Sequence, residues 1–72
     1  MKNASAVRER ILTTTMALIR AGNGNAADLT TRAIAQEAHV GVGLINYHFQ
    51  SKENLITQSV QRMIAEVVSG FA

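Results

Sequence analysis

Cysteine and proline are both missing from this 72-residue chain. Without cysteine there is no disulfide framework and no thiolate zinc site. Tryptophan is absent too, and the aromatics are only Tyr47, Phe49 and Phe71. With Ala, Thr, Ile and Leu prominent, that composition suits an all-α domain better than a sheet. No apolar run approaches the roughly 20 residues of a membrane span, so a soluble chain with no membrane partner is expected. Charge of one sign is also scarce. Seven basic residues against five acidic give +2, which is compatible with binding a polyanion but is not the basic patch of a phosphate-dominated binder.

A hydrophobic fraction of 47% with 17% charged residues fits a folded domain and excludes a disordered tail. A chain this short is one small domain or part of a larger one. A lone core below about 70–80 residues rarely supplies more than ~3–5 kcal/mol. The first 22 residues, MKNASAVRERILTTTMALIRAG, are amphipathic with Arg and Thr, loosely as in an organelle transit peptide. They fit better as the first helix of the domain. Lack of cysteine and of a signal sequence leads to the expectation of a cytoplasmic protein.

Residues 5 to 21 carry Val7, Ile11, Leu12, Met16, Leu18 and Ile19 at helical spacing, with arginines between them. Gly22 is expected to close this helix in a left-handed conformation, followed by a turn over AGNGNAAD. A second, short helix should start after Thr30, a suitable N-cap, with Leu29 and Ile34 placed for a hydrophobic staple. A third begins in GVGLINYHF, with Ile45 and Phe49 one turn apart. The fourth starts after Ser51 and continues through Leu55, Ile56, Val60, Met63, Ile64, Val67 and Val68 to about Gly70. Its distal apolar seam exceeds what a three-helix head requires, so it asks for a neighbour.

Catalysis finds little support. Glu37, His39 and His48 are the nearest approach to a metal or acid–base set, and their spacing matches no ligand motif on one helix face. The sequence GVG follows a helix, lacking the strand and lysine of a phosphate-binding loop. The expected protein is not an enzyme and needs no metal or cofactor.

Two helices of about eight residues, joined by a short turn centred on EAHVG, form the pattern of a helix-turn-helix, whose first helix braces the second in a major groove. Three stretches taken together, RERILTTTMALIRAG, TTRAIAQEAHVGVGLINYHFQSKENL and the apolar helix behind them, resemble the N-terminal DNA-binding domain of tetracycline-repressor (TetR-like) transcriptional regulators. The resemblance covers about residues 5 to 65, with the helix-turn-helix at about 30 to 49. Its motifs occur in order: T-x-x-x-I-A, A-x-V, a glycine two places past the second N-cap, and Y-H-F-x-S-K-E-x-L. The chain departs from the family pattern at His39, where glycine is usual, at Gly41, where a serine cap is usual, and at Asn46, where an aromatic is usual. These positions bear on which bases are read.

The resemblance implies base contacts from Val42, Gly43, Leu44 and Asn46, and phosphate contacts from Thr31, Arg32, Tyr47, His48 and Lys52. Asn can bond adenine N6 and N7, Val or Leu can pack on a thymine methyl, and Gly43 permits close backbone approach. Independently of the family, Lys52 opens the fourth helix, where a cation is mildly disfavoured and a bound anion would relieve the conflict. It could equally be solvated beside Glu53. Tyr47 and His48 could also be rim residues of the core. The resemblance further implies double-stranded DNA as partner, a repressor acting as a homodimer on a palindromic operator, and residues 66 to 72 leading into a C-terminal domain that dimerises and binds a small-molecule effector. The competing reading is a helical protein-interaction module using the seam from Val60 to Phe71.

Overall fold

Four α-helices make up the computed structural model, which describes residues 2–22 and 28–71, with side chains for 6–22 and 28–70. In chain order they are α1 (Lys2–Ala21), α2 (Thr31–Ala38), α3 (Val42–Phe49) and α4 (Lys52–Phe71), with no strand among the described residues. The protein is therefore all-α, with two short helices between two long ones. α1 starts earlier than residue 5. α4 runs without a break past residue 65 to Phe71. Most of the turn expected over AGNGNAAD, residues 23 to 27, lies outside the described residues, as does the side chain of Phe71. No described helix is long and apolar enough to cross a membrane.

The apolar periodicity of α1 becomes its buried face: Ile11, Leu12, Met16 and Ile19 are all buried. Ile11 and Leu12 join Ile34, Ala35 and Ala38 of α2, Ile45 and Phe49 of α3 and Leu55 of α4 in a single cluster, with Val7, Leu18, Leu29 and Val40 packed around it. The alanines of α2 let its backbone come close to α1. Neither eight-residue helix would persist alone, because isolated helices below about 12–15 residues are marginal in water. Burial compensates, at roughly 1.5–3 kcal/mol for each fully buried large side chain. Two polar residues also enter the interior. Thr15 and Ser59 are fully buried, and each hydroxyl donates to the carbonyl one turn earlier, Thr15 to Ile11 at 2.7 Å and Ser59 to Leu55 at 2.8 Å.

Both expected N-caps form. Thr30 Oγ1 accepts from the Ala33 N–H at 3.0 Å, and Ser51 Oγ accepts from the Asn54 N–H at 3.1 Å, so each satisfies a donor that the helix leaves free. Gly22 differs from expectation. Its N–H donates to Leu18 O at 3.0 Å as in a continuing helix, and its φ is not in the left-handed region. The helix-closing bond is available without a left-handed residue at that point.

The left-handed closure falls at the end of α2 instead, on a residue with a side chain. His39 has φ 60° and ψ 44°. Its N–H donates to Gln36 O at 3.2 Å, while the Val40 N–H donates to Ala35 O at 3.0 Å. This is the paired bonding of a Schellman closure, which glycine normally occupies because a Cβ clashes there. The departure from glycine noted in the sequence therefore has a physical cost at the turn of the helix-turn-helix. His39→Gly should raise unfolding stability by about 0.5–1 kcal/mol, read as a higher urea midpoint with unchanged slope.

Charge pairs link α1 to the second half of α4. Arg62 bonds Glu9 in a fork, and Arg20 lies 3.5 Å from Glu66. The Arg62 hydrogen bond holds the Glu9 carboxyl below the usual carboxylate range. A depressed carboxylate contributes stability that is complete above its unfolded pKa and is lost as pH falls through its folded value. The stability difference between wild type and Glu9→Gln should therefore be present at neutral pH, shrink below about pH 4.5 and vanish in stronger acid. Added salt should reduce it, because both side chains are partly in solvent.

Candidate nucleic-acid interface

α3 is sunk into the core by two side chains only. Ile45 and Phe49 are its buried residues, and they lie four apart on one line along the helix. Val42, Gly43, Leu44, Asn46 and Tyr47 are all exposed. With about 100° between successive residues, Gly43 and Tyr47 fall opposite the buried line, at the centre of the outer face. Leu44 and Asn46 fall on its two flanks, and Val42 lies beside the buried line. The exposure is substantial: Val42 is 40%, Leu44 41% and Tyr47 74% accessible.

A Cβ added to Gly43 would meet no atom within 4 Å. Nothing among the described residues requires glycine there, and the space over it is open. Gly41, the N-cap, is extended at φ −78° and ψ 152°, with no side-chain cap bond, and a Cβ there would likewise stand in open space. Its loss of a capping hydroxyl costs only a few tenths of a kcal/mol, and α3 forms regardless.

The residues expected at phosphates come from three helices. Thr31 is half-buried and Arg32 exposed in the first turn of α2, and Lys52 is half-buried at the first position of α4. Tyr47 and His48 sit together at the end of α3, ring centroids 5.0 Å apart in an edge-on arrangement. His48 is half-buried, with its ring 6.4 Å from that of Phe49, so it borders the core while Tyr47 does not.

The α3–α4 junction is tied by a network that motif spacing alone does not reveal. Gln50 has φ 70° and ψ −40°, and the Ser51 N–H donates back across it to Phe49 O at 2.8 Å. That is a γ-turn of the positive-φ kind, rare and strained. Asn54 Nδ2 secures it, donating to Phe49 O at 2.7 Å and to Gln50 Oε1 at 3.3 Å. The elbow thereby fixes Lys52 and the free N–H groups of α4 relative to the end of α3.

Two arginines of α1, absent from the site residues expected from sequence, brace the interface. Arg10 Nε donates to Ala38 O at 2.9 Å, satisfying a carbonyl at the end of α2 and complementing that helix's negative pole. Arg8 lies over the Phe49 ring, 4.8 Å from its centroid, and donates to Gln58 Oε1. Neither partner is near in sequence, so no local signal identifies them.

This geometry is a short helix with an uncharged, exposed outer face, braced by a second helix and flanked by cations. Residues 11–58, two thirds of the 72-residue chain, match the family described as bacterial regulatory proteins, tetR family. No curated protein and no solved structure matches the chain.

Proposed function

Because the chain belongs to the tetR family of bacterial regulatory proteins, whose N-terminal domain is a DNA-binding domain of transcription regulators, we propose that α3 enters the major groove of an operator and reads it with Val42, Gly43, Leu44 and Asn46. One observation carries this reading. α3 buries only Ile45 and Phe49, leaving apolar and amide groups exposed around a glycine whose side-chain space is open. Asn46 would bond an adenine edge, Leu44 and Val42 would contact thymine methyls, and Gly43 would admit the base pairs closely. Arg32 and Lys52 supply charge at phosphates, with Thr31, Tyr47 and His48 adding hydrogen-bonding contacts that set register rather than sequence.

The intact regulator would act in the cytoplasm as a repressor, binding a palindromic operator as a homodimer. Each copy of α3 would read one half-site. Dimerisation and a small-molecule effector site would belong to a C-terminal domain beyond α4. A second reading, a helical protein-interaction module, is favoured by one feature. Ile64, Val67 and Val68 are 58%, 62% and 63% accessible, on the same side of α4 as Val60. The two are compatible if that seam serves assembly and α3 serves DNA.

Binding of the 72-residue chain to duplexes selected from a randomised library distinguishes them. With two cationic phosphate contacts, the logarithm of affinity should fall against the logarithm of salt with a slope near −1.8, about tenfold between 50 and 200 mM. A protein-interaction module with no DNA role would retain no duplex even at low salt. Within the DNA reading, Lys52→Ala should weaken all duplexes alike and reduce the slope by about 0.9, whereas Asn46→Ala should change which duplexes are selected. Indistinguishable selection profiles for the two variants would sink the assigned division of roles.

A further inference from the structure

Arg8 is a long cation held half-buried between three helices. Its guanidinium lies 4.8 Å from the centre of the fully buried Phe49 ring in α3 and donates to Gln58 Oε1 in α4. Such a side chain gives up hydration and rotamer freedom. A leucine or methionine would cover the same ring without desolvating a charge. What the guanidinium adds is direction: a planar fork with one edge committed to Gln58 and its charge over a ring face.

Direction is what the two buried side chains of α3 define least. Two buried side chains on one line let a helix pivot about that line, and a rotation of about 10–20° is the tolerance within which a recognition site must be held. Asn54 and Ser51 secure the Phe49 carbonyl from one side. Arg8 secures its ring from another. Arg8 also lies outside the residues 11–58 that match the family, so the match assigns it no part in recognition.

We propose that Arg8 is a positioning residue for DNA recognition: by clamping Phe49 to Gln58 it sets the angle at which the outer face of α3 meets the base pairs, without touching DNA itself. This rests on the reading of α3 as the recognition helix. It assigns sequence discrimination partly to a side chain on α1, packed against the buried ring of Phe49.

The test compares wild type, Arg8→Met, Arg8→Lys and Gln58→Ala on two probes, a duplex selected from a randomised library by the wild-type chain and a scrambled duplex of the same composition. Arg8→Met keeps an unbranched stem over Phe49, and helix content and thermal unfolding are recorded for every variant. The expected result is a loss of roughly tenfold in the selected-to-scrambled affinity ratio for Arg8→Met, comparable to one good base contact, with the salt slope unchanged. Arg8→Lys, which keeps a cation over the ring, should retain part of the ratio. Gln58→Ala should lower it, and a variant combining Arg8→Met with Gln58→Ala should lose less than the sum of the two single losses. Should Arg8→Met not fold, Arg8→Lys and Gln58→Ala carry the comparison. An unchanged ratio in folded variants overturns the proposal. So does an equal loss on both probes with a slope reduced by about one, which would make Arg8 a phosphate ligand. A wild-type chain that selects no duplex overturns the reading of α3 as well, and is thereby separate from a failure of Arg8 alone.

Discussion

Burial of Ile45 and Phe49 is the constraint on which the rest of this structure depends. These two side chains join an eight-residue helix to a core supplied mainly by α1 and α2, and no helix of that length is self-supporting. Because they occupy one line, every other residue of α3 is released to the surface or its margin. The same anchoring that makes α3 exist therefore leaves a contiguous outer arc available. That arc has glycine and tyrosine at its centre, with Leu44 and Asn46 on opposite flanks. A helix with a wider buried face would be more stable and would have less surface to present.

The two junctions of α3 show how a small core without covalent staples is made rigid. At each, a residue with a side chain adopts a positive φ, His39 at 60° and Gln50 at 70°, and both conformations carry strain. Each is surrounded by bonds that determine it: the paired closure on Ala35 and Gln36 with Arg10 on Ala38, and the bonds from Ser51 and Asn54 to Phe49. Strain persists where neighbouring contacts leave the backbone no alternative. Here it brackets α3 at both ends.

α4 divides into two parts with different surroundings. Leu55 and Ser59 in its first half are fully buried against the core, while Ile64, Val67 and Val68 in its second half are more than half exposed. The charge pairs from Glu9 and Arg20 to Arg62 and Glu66 fix the helix against α1 along this transition. An apolar seam that no described residue covers thus continues from a helix whose other end shapes the α3–α4 elbow. One rigid element touches both surfaces.

Much of this is legible in the sequence because its signals are local. Thr30 and Ser51 cap helices through bonds to residues three positions on, and the apolar spacing of α1 and α4 follows from a helical period that any amphipathic segment must obey. The motif Y-H-F-x-S-K-E-x-L marks the end of α3 and the start of α4 where the structure has them. Gly22 departs from its expected role, since a glycine permits a left-handed closure without requiring one. The strain at His39 shows in the sequence only as an unusual residue in a family pattern. Arg8 and Arg10 stand there simply as polar residues between apolar ones, because their partners lie 50 and 28 residues away. Sequence by itself determined the helices, their caps and the residues available on α3. The surplus apolar seam of distal α4 was legible there too, whereas tertiary structure alone decided how α3 is oriented, because that depends on contacts between segments that no local spacing brings together.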